Sequence, residues 1–166
     1  MRQVKHLIPE FEKMKERFPA GFESSLVLPC LHRIQADRGF VADEDIDGLV
    51  AYLGVPRVQV EEVLSYYTML RREGIGRHHL QVCRNIACSM RGAEGVIEHA
   101  CKRLGVKPGE TTADGKFTLS TVECLGSCGT APVMMVNDAY HENLTLEELD
   151  RLIEGLVVEE RAGEKR

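Results

Sequence analysis

Four cysteines stand in two pairs, Cys83 and Cys88 spaced C-x4-C and Cys124 and Cys128 spaced C-x3-C, each pair at the end of a segment with strand character. Four thiolates brought to one site form an all-sulfur donor set for a soft metal, which leaves a [2Fe–2S] cluster or a structural zinc as the candidates. Zinc sites usually take tighter C-x2-C knuckles, because both sulfurs of a pair must meet one small ion. The wider gaps here favour a larger, two-iron group. The stretch Glu123-Cys124-Leu125-Gly126-Ser127-Cys128-Gly129-Thr130-Ala131-Pro132 sets glycines near both cysteines, where backbone N–H groups are free to approach cluster sulfurs and the loop is free to take positive φ.

The remaining chemistry-bearing side chains invite plainer readings. Cys30 and Cys101 lie on apolar helix faces, where a free cysteine acts as a small hydrophobe. A dithiol redox role for Cys83 and Cys88 would call for C-x-x-C at a helix start, which the sequence lacks. His78 and His79 are adjacent at the start of a strand and point to opposite faces, so they read as surface or edge residues rather than metal ligands. Tyr66 and Tyr67 read as core and interface residues. Gly92 and Gly95 fall inside a helix and do not follow a strand in G-x-G-x-x-G order, so no nucleotide site is expected. No acid–base or nucleophile constellation accompanies the cysteines, and no catalytic residue is expected.

The elements that must position the cysteines come in two kinds. Before about Arg72 the apolar period is helical. The first helix covers residues 9–18. The second covers 23–38, with Leu26, Val27, Cys30, Leu31 and Ile34 on one face and Pro29 in its first turn or at a kink. The third starts at Asp43, carries Ile46, Leu49, Val50 and Leu53, and stops at Gly54. The fourth opens at Pro56 and carries Val60, Val63, Leu64 and Tyr67. After Arg72-Glu73-Gly74-Ile75-Gly76 the pattern becomes a strand over 79–83, a helix over 89–104 with Met90, Ala93, Ile97, Ala100, Cys101 and Leu104 inward, and strands over 116–124 and 133–137, the latter buried on both faces. Thr145 and Glu148 form a capping box for a last helix with Leu149, Ile153 and Leu156 inward. The expected class is α+β: a helical bundle over residues 1–76, a β-α-β-β-α unit over 77–158 and a frayed charged tail over 159–166. A right-handed crossover makes the first two strands parallel, so Cys83 and Cys124 emerge on one sheet edge and Cys88 and Cys128 follow in the loops beyond.

Composition bounds the setting. With 166 residues and 43% hydrophobic content, the chain has enough for a core in one domain or two. Pro132 to Val136, among the longest apolar runs, is too short to cross a bilayer, and Met1 to His6 lacks a signal-peptide core. A cytoplasmic protein with six reduced cysteines is expected, rather than a disulfide framework. The net charge of −5 and the lack of a basic cluster argue against nucleic acid.

Longer stretches resemble the thioredoxin-like [2Fe–2S] ferredoxin family, and within it the small iron–sulfur subunits of the NADH-oxidising module of NADH:quinone oxidoreductase, respiratory complex I. They are Leu31 to Gln35 with Gly39-Phe40-Val41, Leu53 to Pro56, Tyr66 to Met69, Cys83 to Cys88 with Arg91 to Glu94, Gly109 to Thr112 with Asp114-Gly115, and Glu123 to Cys128 with Ala131 to Met134. The resemblance runs from about Pro9 to Leu156. It implies a thioredoxin-like fold for the second half, one [2Fe–2S] cluster per chain on Cys83, Cys88, Cys124 and Cys128, and a helical first half that docks a partner. That partner would be the subunit carrying FMN, the NADH site and a further cluster. Other iron–sulfur subunits would adjoin, and the whole would stand as a peripheral arm at the cytoplasmic face of the membrane without inserting itself. The implied role is electron transfer within an NADH dehydrogenase. Two departures, Ser65-Tyr66-Tyr67 in place of the usual Thr-Phe-Tyr and Cys30 in place of an aliphatic residue, touch no ligand. The alternatives are the equivalent diaphorase subunit of an NAD-dependent hydrogenase or formate dehydrogenase, and a zinc-stabilised interaction module without redox function.

Overall fold

The computed structural model describes residues 4–163 and divides into two compact units, with the boundary between Gly74 and Ile75. In the first unit a 310 turn (Val4–Leu7) leads into α1 (Ile8–Lys15), and a second 310 turn (Glu23–Leu26) into α2 (Val27–Arg38), followed by α3 (Asp43–Leu53) and α4 (Arg57–Tyr66). Pro29 sits in the first turn of α2, where its missing N–H costs nothing. The start of α3 is fixed by Asp45, whose carboxylate accepts the Ala42 N–H at 2.9 Å and the Arg38 guanidinium at 2.8 Å. The apolar faces meet in one core centred on Phe11, Val27, Cys30, Leu31, Ile46 and Leu49, all fully buried. Tyr66 is 79% exposed and Tyr67 half-buried, so only the second of this pair joins the core.

The second unit contains β1 (His78–Cys83), α5 (Ile86–Met90), α6 (Ala93–Leu104), β2 (Phe117–Val122), a 310 turn (Cys128–Thr130), β3 (Met134–Val136), β4 (Ala139–His141) and α7 (Leu146–Gly163). The sheet order is β2-β1-β3-β4, with β1 parallel to β2 and the other neighbours antiparallel. Leu80, Leu119, Met134 and Leu149 are fully buried between the sheet and α6 and α7. Each such side chain contributes roughly 1.5–3 kcal/mol relative to an exposed one. Thr145 and Glu148 form the expected reciprocal cap of α7, at 2.9 and 3.2 Å.

Several expectations need correction. The helix expected over 89–104 is two helices, because Gly92 takes φ +94 and breaks it. Gly92 is therefore not helical, and Met90, expected inward, is 82% exposed on α5. Cys88 belongs to α5 rather than a loop. The third strand is shorter than expected, and Met135 between its buried ends is only half-buried. A fourth strand, β4, was not expected; it pairs with β3 through a two-residue connection at Asn137-Asp138. Because β3 covers the other side of β1, His79 is buried rather than at an edge, and its ring nitrogen lies 2.7 Å from the Ser120 hydroxyl. His78 is half-buried, with its ring 5.3 Å from that of Phe117. The backbone of α7 continues helical to Gly163, through most of the segment expected to be a tail; residues 164–166 lie outside the described residues.

Candidate metal centre

Cys83 closes β1 in register with Val122 of β2, so these parallel strands end level and Cys124 follows two residues beyond. The join is reinforced past the strand ends. The Arg84 N–H donates to the Val122 carbonyl at 2.9 Å. The Arg84 guanidinium meets the Glu123 carboxylate at 3.0 Å, and the Cys83 thiol lies 3.9 Å from the Glu123 carbonyl oxygen. On the other side, the Cys83 N–H donates to the Val133 carbonyl at 3.0 Å. Cys88 is brought back towards Cys83 by α5, whose start is capped by the Asn85 side chain accepting the Ile86 N–H at 2.8 Å. The Ser89 hydroxyl ties this turn to the Glu94 carboxylate.

The two pairs differ in environment. Cys83 and Cys88 are each 2% exposed and pack with Ala93, Ala131 and Val133. Cys124 and Cys128 are exposed. Between them the loop has no regular structure until the 310 turn at Cys128, and Gly126 holds φ +76 with its N–H 3.3 Å from the Cys124 sulfur. Burial raises the affinity of Cys88 for its proton, its contact with Cys83 acts in the same direction, and the Val133 backbone N–H opposes both. For Cys128 the charge of Cys124 is the largest cause, and it too favours the protonated form. The charge of Cys83 also favours the protonated form of Cys128, and that of Cys128 the protonated form of Cys88. A metal binding these sulfurs would displace their protons.

Among the described residues, no three His, Cys, Asp or Glu side chains are placed to hold a single ion. Four soft donors in two pairs suit a two-iron group, in which each iron takes two protein ligands. By donor type and grouping, the residues present fit such a cluster. Cys30 is fully buried in the other unit, where burial pushes its thiol up to about 12, and Cys101 is half-buried on α6.

The loop between Cys124 and Cys128 is held from β4, which the sequence did not reveal. The Tyr140 hydroxyl donates to the Leu125 carbonyl at 3.0 Å. The Glu142 carboxylate accepts the hydroxyls of Ser127 and of Thr130, the latter at 2.8 Å. These two bonds hold its carboxyl below the usual carboxylate range. The available signal was Asn137-Asp138, a turn pair whose Asn takes φ +53.

A family model described as thioredoxin-like [2Fe–2S] ferredoxin matches residues 11–157. The sequence is 43% identical over 152 residues to one of the subunits of the NADH-quinone oxidoreductase of Rhizobium meliloti, covering 92% of this chain and 89% of that one. It is 37% identical over 155 residues to NADH-quinone oxidoreductase subunit 2 of Thermus thermophilus, covering 93% and 83% respectively. The fold is similar to part of an NAD+-reducing [NiFe]-hydrogenase, with a TM-score of 0.68 at 19% identity over 80% of this chain and 23% of that one.

Proposed function

The chain belongs to the thioredoxin-like [2Fe–2S] ferredoxin family, and on that premise we propose that it is an electron-transfer subunit of NADH:quinone oxidoreductase, with Cys83, Cys88, Cys124 and Cys128 as the ligands of one [2Fe–2S] cluster. The observation that carries the reading is the level ending of β1 and β2, which brings the two cysteine pairs to one end of the sheet. When bound, the cluster would accept and pass on one electron at a time. The chain's own residues hold it: Cys83 and Cys88 from a packed, water-poor side, and Cys124 and Cys128 from an exposed loop. Exposure on that side suits exchange with a partner, since electron transfer needs close approach and no bond chemistry.

The names of the relatives favour NADH:quinone oxidoreductase over a hydrogenase or formate dehydrogenase, and the reading puts FMN and NADH on a partner flavoprotein, with further iron–sulfur subunits adjoining. No described helix is long and apolar enough to cross a membrane, in keeping with a position in a peripheral arm at the cytoplasmic face. Protein purified without oxygen should carry about two irons and two sulfides per chain and give one S = 1/2 EPR signal on reduction. NADH should reduce it only when the flavoprotein is added. Stoichiometric zinc without iron would sink the assignment.

A further inference from the structure

We propose that Glu142 is a positioning residue for the Cys124–Cys128 pair, a carboxylate strap that holds the cysteine loop in its ligand-ready shape. The proposal rests on the cluster reading above and adds a residue to it.

The buried pair is held by packing, since Cys83 and Cys88 sit among Ala93, Ala131 and Val133. The exposed pair has no such walls. Inside its loop the ties are local: Thr130 N–H to the Ser127 carbonyl at 3.2 Å, the Ser127 and Thr130 hydroxyls 2.7 Å apart, the Thr130 hydroxyl 3.2 Å from the Ser127 carbonyl, and Gly126 N–H to the Cys124 sulfur at 3.3 Å. Three further ties come from β4 and the two residues after it. Tyr140 holds Leu125 at 3.0 Å, the Asn143 N–H donates to the Thr130 carbonyl at 2.6 Å, and Glu142 takes Ser127 and Thr130 together. Both hydroxyls meet the same oxygen, Oε1, so one side chain fixes a residue on each side of Cys128. Hydrogen bonds to a carboxylate are stronger than neutral ones. Outer partners of metal ligands typically change metal affinity about 10- to 100-fold when removed.

The test uses the full chain, loaded with its cluster and also metal-free. Glu142→Ala should speed loss of iron to a chelator by about tenfold. Glu142→Gln, which keeps an oxygen able to accept both hydroxyls, should restore most of the lifetime. Combining Glu142→Ala with Ser127→Ala and Thr130→Ala should add little to either change alone, because all remove one network. In metal-free chain, Glu142→Ala should raise amide hydrogen exchange at residues 126–130 and leave β1 and α6 unchanged. A wild-type release rate in Glu142→Ala, additive effects, or unchanged exchange in the loop would each overturn the proposal. Should the loaded chain prove to hold no iron and sulfide, the cluster reading fails by itself, and the exchange measurement still decides whether Glu142 straps the loop.

Discussion

The Cys83 thiol lies 3.9 Å from the carbonyl of Glu123, the residue before Cys124, although the two are 40 positions apart in sequence. This closeness follows from the parallel register of β1 and β2, which sets Cys83 opposite Val122. A parallel pair needs a crossover, here α5 and α6, and the crossover itself carries Cys88. One topological rule therefore brings three of the four cysteines to the same end of the sheet, and the loop after Cys124 supplies Cys128.

That arrangement predicts which cysteines matter. Replacing Cys83, Cys88, Cys124 or Cys128 by alanine should abolish or severely destabilise the cluster, because a lost thiolate ligand has no nearby soft substitute. Cys30→Ala should keep full iron and sulfide at a cost of about 1 kcal/mol, the scale of a small core truncation. Cys101→Ala, at a half-buried site, should cost less. Iron and sulfide counts with the visible spectrum check all six, and a cluster retained without Cys128 but lost without Cys101 would contradict the ligand set.

Gly76 provides a stability test that leaves the cysteines alone. A Cβ there would lie 2.8 Å from the carbonyl carbon of Phe117 and 2.9 Å from backbone atoms of Lys116, which have no flexible end to move aside. Its N–H also donates to the Thr118 hydroxyl at 2.6 Å in a buried setting. Gly76→Ala should therefore destabilise the second unit by about 3 kcal/mol, the upper range for overpacking. Gly129→Ala, whose Cβ would meet nothing within 4 Å, should leave stability unchanged. Urea unfolding of the two variants checks the contrast, and equal midpoints would contradict it.

Acid should weaken the helical unit through its ion pairs. The Arg33 guanidinium holds the Glu10 carboxyl below its ordinary range, with bonds of 2.5 and 2.9 Å, and Arg57 does the same for Asp43 at 2.6 Å. Carboxyls depressed in the folded state add stability that is present above the unfolded carboxylate range, about pH 4, and lost as pH falls through the lower folded values. The midpoint for unfolding of this unit should drop between about pH 5 and pH 2, and Arg57→Gln should flatten that drop. A slope unchanged in Arg57→Gln would show that the pair does not carry the effect. Asp43 is exposed and Glu10, Arg33 and Arg57 are half-buried, so solvent still reaches both pairs and the change should also shrink with added salt.

These cases show what was legible in the sequence. The cysteine pairs, the four helices of the first unit and the parallel β1–β2 pair were readable, because helical period, capping residues and strand-end placement are local signals. β4 was not, since Ala139-Tyr140-His141 shows no burial alternation and forms only by pairing with β3. One further misreading follows from tertiary context. His79 looked like a surface or edge residue because nothing local says that β3 will cover β1, and Glu142 drew no reading at all because its contacts depend on the chain turning back after β4. The break at Gly92 left a weaker trace, a glycine whose positive φ the helical period around it concealed.

A last prediction concerns the helical unit, which contains none of the four candidate ligands. It has its own core around Phe11, Leu31, Ile46 and Leu49, and the cluster unit has a separate one around Leu80, Leu119 and Leu149. A fragment beginning at Ile75 should therefore fold and still carry two irons and two sulfides, since every candidate ligand and the Glu142 strap lie within it. What the first unit adds is surface, on which Phe22, Val58, Tyr66 and Met69 are more than half exposed. We expect that surface to dock the flavoprotein, so the fragment should fail to co-purify with that partner while the full chain does. Tyr66→Ala in the full chain should weaken the same interaction without loss of iron, because large aromatics carry a disproportionate share of interface energy. A pull-down paired with the visible spectrum reads both. A fragment that binds the flavoprotein as tightly as the full chain would assign the helices some other purpose, and reduction of the isolated full chain by NADH alone would overturn the division of labour between the two subunits.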